Sequence, residues 1–177
     1  MVVAGSLEQV RQRVTGRSLL LGVLALAAVV AVTATLLLVP RISSASAQQE
    51  RRSEVLRAAR QQAVNFTTLD YRRLDRDLGR VLDGATGDFR KQFRSGTKDL
   101  TQLVTANKAV ATGEVLEAGL VSNDDDSARV LVVADSTVTN TASPKPEKRH
   151  YRIQMDLVRD PAVRGGRWLV SDLTFVG

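Results

Sequence analysis

Three aspartates and two tyrosines are the residues whose types could do acid–base chemistry: Asp135, Asp156, Asp172, Tyr71 and Tyr151. An aspartate enclosed by apolar side chains has a raised pKa and can act as a base, while a tyrosine hydroxyl can stabilise the developing negative charge. A small-molecule isomerase or hydrolase would need such groups together. No nucleophile, base and orienting residue can be placed as one site from this sequence. We therefore expect a protein that is not an enzyme.

Metal and cofactor sites find little support in the composition. The chain has no cysteine, so disulfides and thiolate ligands are excluded. Its single histidine, His150, stands beside Arg149 at the start of a predicted strand, where an exposed side chain is the expected state. The acidic run 124–126 lacks the ligand spacing of a calcium loop and is predicted to be a solvated turn. We expect no bound metal or cofactor.

The net charge of +6 is spread through the chain rather than gathered in one patch. Basic and acidic residues alternate along most of its length, and aromatic residues make up only 4%, too few for base-stacking surfaces. Nucleic acid is therefore not an expected partner. Near residue 50 the sequence is locally basic, and Arg51 and Arg52 are candidate contacts to anionic lipid headgroups. A solvated helix face is the alternative for this pair.

The apolar run at residues 19–39 contains no charged residue and predicts a single transmembrane helix. As a helix it would be about 31 Å long, which matches the hydrocarbon core of a bilayer. Representative anchor residues are Leu19, Leu24, Val29, Leu36 and Val39. A cleaved signal with a site near Ala47 is the alternative, but the run exceeds the usual length of a signal's apolar region.

The predicted span divides the chain into three parts. Residues 1–18 are expected to be a cytoplasmic tail, and residues 40–177 an extracytoplasmic domain with helices in about 46–107 and a sheet in about 108–177. Arginines flank both ends of the span, so charge alone gives only a weak bias for the N-terminus inside. The expected location is the cytoplasmic membrane.

Hydrophobic periodicity predicts helices followed by strands in the domain. Apolar residues recur every three or four positions from residue 46, and a second helix, with Tyr71 on its apolar stripe, should end at Gly84. Two shorter helices are expected at 88–93 and 100–107, separated by the pair Ser95 and Gly96.

After residue 107 the period becomes two, which predicts about four antiparallel strands. The first should bulge or curve at Gly113 and Gly119, and the last should carry a bulge near Ser171 and Asp172, because the apolar residues change parity there. Helices packed on one face of a curved antiparallel sheet give the α+β class.

Four segments carry a resemblance to a known family: residues 63–93, 114–121, 130–140 and 166–177. Their order, behind a charged tail and one span, resembles that of the Mce-associated membrane proteins of actinobacteria over residues 18–177. The most specific pieces are Thr67-Thr68-Leu69-Asp70-Tyr71, Ala85-Thr86-Gly87-Asp88-Phe89 and Trp168-Leu169-Val170.

This resemblance implies a cone-shaped domain like nuclear transport factor and ketosteroid isomerase. It implies a non-catalytic role in assembling or stabilising an Mce-type lipid-import complex in the cell envelope, with the membrane and lipid-transport subunits as partners. The cone could hold a lipid ligand, and Tyr71, Asp135 and Asp172 are its candidate polar cavity residues. The alternatives are a scaffold of a secretion channel and a small-molecule isomerase or hydrolase on the same cone.

Overall fold

A computed structural model of the chain describes residues 46–162 and 166–176. This part has three helices followed by four long strands, and one very short strand lies between the first and second helices. Their bounds are α1 (46–67), β1 (Leu69–Asp70), α2 (Leu74–Asp83), α3 (Gly87–Ala106), β2 (Val110–Asn123), β3 (Ser127–Thr139), β4 (Glu147–Asp160) and β5 (Arg167–Phe175).

The strands form one antiparallel sheet in the order β1-β2-β3-β4-β5. Each strand pairs with the next strand in sequence, so the sheet contains no crossover. The sheet curls around the helices. The long β2–β3 and β3–β4 ladders form its centre, with Val132 opposite Ile153 in the middle. The domain is therefore α+β, as the change of hydrophobic period predicted.

The main core lies between α1 and the inner face of the sheet. On α1, Val55, Ala59 and Ala63 recur every four residues and are fully buried, so one stripe of the helix faces the sheet. Alternate residues of the central strands meet this stripe. They are Val130, Val132 and Ala134 on β3 and Ile153, Met155 and Leu157 on β4, all at most 1% exposed.

A smaller cluster joins α2 to α3. Leu74 and Leu78 of α2 pack with Val104 of α3, and Leu69, Tyr71 and Leu100 surround them. Gly84 ends α2 as predicted, where the Gly84 N–H donates to the carbonyl oxygen of Arg80 and the Ala85 N–H donates to that of Leu82.

The predicted break at Ser95 and Gly96 is wrong, because α3 is one continuous helix from Gly87 to Ala106. The hydroxyls of Ser95 and Thr97 donate to the carbonyls of Gln92 and Arg94 within the same helix. The hydroxyls of these small polar residues therefore find acceptors inside the helix, and the backbone does not need to break there.

The sheet has five strands rather than the predicted four, since Leu69 and Asp70 pair with Ala111 and Val110. A two-residue strand carries no periodicity that a sequence could show. The same segment places Tyr71 in the turn before α2 and not on the helical stripe where it was predicted.

The bulges of β2 lie two or three residues beyond its glycines rather than at them. Register shifts occur between Val115 and Glu117 and between Leu120 and Ser122. Gly113 has a different role, because a Cβ there would lie 2.7 Å from Cβ of Thr67. The predicted bulge of β5 is confirmed at Ser171, which is skipped when Val170 pairs with Leu157 and Asp172 pairs with Asp156.

Candidate functional site

The strongest catalytic candidate by burial, Asp135, is an ionised partner of two basic groups. Its residue is 6% exposed, and its carboxylate lies 2.6 Å from His150 Nδ1 and 3.2 Å from Lys148 Nζ. The hydrogen bond with His150 is the main cause that lowers the pKa of Asp135, and Lys148 lowers it further. A general base in an apolar cavity would need the opposite shift.

Strand parity places Asp135 on the outer face of the sheet. It alternates with the core residues Val132 and Ala134 and shares its side with the exposed Leu131 and Val133. Its burial therefore comes from the side chains that cover it and not from the interior of the cone.

The other two aspartates lie together at the middle of β4 and β5, where Asp156 is opposite Asp172. Arg129 donates two hydrogen bonds to the Asp156 carboxylate, from Nε to Oδ1 at 2.6 Å and from Nη2 to Oδ2 at 2.8 Å. These hydrogen bonds lower the pKa of the Asp156 carboxyl. Asp172 is exposed and accepts a hydrogen bond from the Thr174 hydroxyl at 3.2 Å. Both are surface carboxylates.

The two tyrosines have packing contacts in separate places. Tyr71 borders the α2–α3 cluster with the Arg72 guanidinium 5.7 Å from its ring centre. Tyr151 is half-buried at the edge of the main core, and its ring centre lies 5.8 Å from that of Phe175. The structure thus does not bring Tyr71, Asp135 and Asp172 to one cavity.

The predicted headgroup contacts, Arg51 and Arg52, lie at the start of α1. Arg51 faces Asp125 of the β2–β3 turn, with Nη2 and Oδ1 3.7 Å apart, whereas Arg52 is exposed. A contact of this pair with lipid stays a prediction. Within residues 46–162 and 166–176, no group of three histidine, aspartate or glutamate side chains could hold a metal ion.

Sequence reasoning missed a buried acidic pair at the start of α2. Asp77 is fully buried and Asp70 is 5% exposed, and three arginines of the same segment, Arg72, Arg73 and Arg80, lie within 4.0 Å of their carboxylates. The dense alternation of charge in residues 70–80 was the available signal. These charged groups pair with one another and stabilise the segment that leads into α2.

An exposed apolar surface, which we call the outer-face patch, is the main unpartnered feature of the sheet. It consists of Leu131 and Val133 on β3 with Leu116 and Val121 at the two bulges of β2, each between 38% and 56% exposed. Exposed aliphatic side chains gathered on one face are typical of a protein contact surface.

The predicted membrane span at residues 19–39 lies outside the described residues. Among the residues that are described, none of the helices has the length and apolar character needed to cross a bilayer.

Solved structures share this fold at low sequence identity. The periplasmic domain of DotI aligns with a TM-score of 0.59 and 17% identity, covering 70% of this chain and 94% of that domain. An IcmL-like type IV secretion system protein from Legionella pneumophila aligns with a TM-score of 0.58 and 14% identity, covering 71% and 91%. Helices on a curled five-stranded sheet give the nuclear-transport-factor-like architecture that the resemblance implied.

Sequence comparison gives a closer relationship. The protein named "Uncharacterized protein Rv1363c" from Mycobacterium tuberculosis is 35% identical over 132 residues, which cover 75% of this chain and 49% of the relative. The chain thus spans about half the length of that relative. These matches give no link to Mce complexes. The profile of the family described as "Uncharacterized protein Rv1363c/MT1408-like" matches residues 18–177, and the chain therefore belongs to this family.

Proposed function

We propose that this protein is a non-catalytic assembly component of a multi-subunit complex in the cell envelope. The observation that carries the proposal is the filling of the inner sheet face. In a cone used as an enzyme this face would line the reaction cavity, but here it is covered by apolar residues of α1, α3 and the central strands.

The charged groups support the same function. Asp135 and Asp156 have lowered pKa values because His150 and Arg129 hydrogen-bond to them, so both carboxylates are held ionised on the outer side of the sheet. Such groups are poor bases at neutral pH. Surface ion pairs of this kind are compatible with a contact surface.

Among assembly roles, a scaffold in a secretion-type complex has more support than a role beside an Mce complex. The fold neighbours are a periplasmic domain and a type IV secretion system protein. The Mce-linked role rests on the sequence resemblance alone and stays a finer alternative. A membrane anchor at residues 19–39 would confine the domain to the membrane plane and raise its effective concentration for a membrane-bound partner.

The outer-face patch is the surface we assign to this contact. Leu131 and Val133 lie on the central strand pair β2–β3, where a partner could cover both bulges of β2 at once. Apolar side chains at the centre of an interface contribute more to affinity than those at its rim.

The test is affinity purification of the full chain from its native envelope in mild detergent, with mass spectrometry of the proteins retained. We expect discrete envelope subunits to accompany the wild type and to be lost from the double variant Leu131→Glu/Val133→Glu. Leu103, which is 63% exposed on α3, supplies the matched control Leu103→Glu, which should keep the partners.

Two results bear on the identity of the complex. Secretion-type subunits would support the scaffold role, and Mce or transporter subunits would move the assignment to the alternative. A chain that purifies alone under conditions that keep envelope complexes intact would contradict the assembly function.

A further inference from the structure

A cleft of about 580 Å³ opens between α1, the end of α2 and the start of β5. It lies at the edge of the main core, to which its lining residue Trp168 belongs, and it shares no residue with the outer-face patch. Its apolar wall is formed by Ala58 of α1 with Trp168 and Leu169 of β5. The volume is that of a small-molecule pocket.

Trp168 carries an unsatisfied donor at this cleft. The residue is 5% exposed, and its indole N–H is buried without a hydrogen-bond acceptor among the described residues. A buried tryptophan N–H normally finds an acceptor, so Trp168 is a lining residue of the cleft whose polar atom its own domain leaves unsatisfied.

Two arginines at the cleft also have donors to spare. Arg57 of α1 makes no ion pair within the described ranges, and Arg167 uses one N–H on the carbonyl oxygen of Asp83 at 2.7 Å. A third arginine, Arg80, is already held by Asp77 at 2.8 Å. Arg57 and Arg167 therefore both have N–H groups left to bind a ligand.

Two carboxylates, Glu54 and Asp83, line the cleft as well, and neither pairs with these arginines within the described ranges. They limit the affinity for an anion by repulsion. Their presence allows a test of the sign of the ligand's charge. If the ligand is an anion, removal of the negative charge of Glu54 must strengthen its binding.

The floor of the cleft is rigidly built. Gln62 is 2% exposed, and its amide donates to the carbonyl oxygen of Val81 at 2.8 Å, which ties α1 to α2. Gly84 leaves room for it, since a Cβ at that position would lie 2.8 Å from Gln62 Cδ. A fixed floor keeps the shape of the cleft before a ligand arrives.

We propose that this cleft binds a small amphipathic anion. A phosphate or carboxylate group is held by Arg57 and Arg167, and the apolar part packs on Trp168 and Leu169. The proposal does not depend on the assembly function, and the anion can be a lipid headgroup or a soluble metabolite.

Trp168 is the only tryptophan of the chain, so its fluorescence reports on the cleft directly. The full chain is placed in nanodiscs of neutral phosphatidylcholine and titrated with hexyl phosphate, hexanol or inorganic phosphate. We expect a saturable change of emission with hexyl phosphate, and affinities at least about tenfold weaker for hexanol and for phosphate alone, because each lacks one half of the recognition.

Variants test the assignment of charge, with binding measured by calorimetry as a second readout. Arg57→Gln and Arg167→Gln should each weaken hexyl phosphate binding about tenfold, whereas Glu54→Gln should strengthen it severalfold. Arg94→Gln, at an exposed arginine of α3 outside the cleft, is the matched control and should bind as the wild type does.

The source of the anion is distinguished by nanodiscs that contain phosphatidylglycerol. A lipid-headgroup site would show the emission change without added ligand and would bind hexyl phosphate competitively, and a soluble-anion site would show neither. Equal responses to hexanol and hexyl phosphate, or equal affinities of Arg57→Gln and Arg94→Gln, would overturn the proposal.

Discussion

The buried carboxylate of Asp77 accepts a hydrogen bond from the backbone N–H of Asp70 at 2.9 Å. Its other oxygen accepts from Arg80 Nη2 at 2.8 Å. Because Asp70 is half of the short strand β1, this contact ties the first turn of α2 to the edge of the sheet. A side chain on a helix thus holds a strand that is too short to be stable by its own pairing.

Replacement of Asp77 by alanine should destabilise the domain by about 2–3 kcal/mol, because the buried N–H of Asp70 and the Arg80 guanidinium both lose their acceptor. Asp77→Asn should cost less, since its carbonyl oxygen can still accept from Asp70. Urea unfolding of the full chain in mild detergent, followed by circular dichroism, measures the difference. Asp75→Ala, at an exposed aspartate of the same turn, should stay within about 0.5 kcal/mol of the wild type. Equal losses at positions 75 and 77 would contradict the contact's role.

Stability should fall in acid because of Asp70. Hydrogen bonds from the Arg72 side chain and backbone lower the pKa of Asp70 from 3.8 to about 2. A carboxyl with a lower pKa in the folded state favours folding when ionised, so its contribution is complete above about pH 4 and is lost as the pH falls towards 2. Arg72→Gln should flatten this part of the curve of urea midpoint against pH. An unchanged slope in the variant would exclude Asp70 as its source.

The sequence predicted the parts of the fold in which apolar residues repeat at a regular spacing. Ile153, Met155 and Leu157 alternate with polar residues, and the parity change before Leu173 revealed the bulge at Ser171. Strand β1 could not be predicted, because its two residues are fixed by Asp77 and by the start of β2 rather than by their own pattern.

The candidate sites were harder to predict for a related reason. Arg57 and Trp168 line one cleft although 111 positions separate them in the chain, and neither has a neighbour in sequence that signals a site. Asp135 was identified by its residue type alone. Its pairing with His150 follows from the register between β3 and β4. Hydrophobic alternation shows which face each residue lies on, but the register also depends on the length of the loop between the two strands.

Gly96 offers a simple gain of stability. It lies in the interior of α3, is exposed, and a Cβ there would meet nothing within 4 Å. Gly96→Ala should therefore stabilise the domain by about 0.5–1 kcal/mol through higher helix propensity and lower entropy of the unfolded chain. A rise in the urea midpoint at unchanged slope is the expected observation. A loss of stability would indicate that the helix is bent or interrupted at this glycine, as the sequence alone suggested.

The opposite result is expected at Gly113. An added Cβ would lie 2.7 Å from Thr67 Cβ and 3.1 Å from the Thr67 carbonyl carbon, and Thr67 is held by its own bond to the carbonyl oxygen of Ala63 at 2.7 Å. Gly113→Ala should destabilise the domain by about 2 kcal/mol, because the end of α1 must move from β2. Gly119→Ala, on the same strand with open space around it, is the control and should be nearly neutral. If both variants unfold alike, the close approach of α1 to β2 is wrong.

The predicted orientation of the chain has a direct chemical test, because the protein contains no cysteine. Asp125 lies in the β2–β3 turn with a side chain that is 94% exposed, so a thiol placed there can react without unfolding the domain. With the N-terminus inside, Asp125→Cys should react with a membrane-impermeant maleimide in whole cells. Gly5→Cys, in the predicted cytoplasmic tail, should react only after lysis. Labelling in the reverse order would place the domain in the cytoplasm and would remove the envelope from the proposed function.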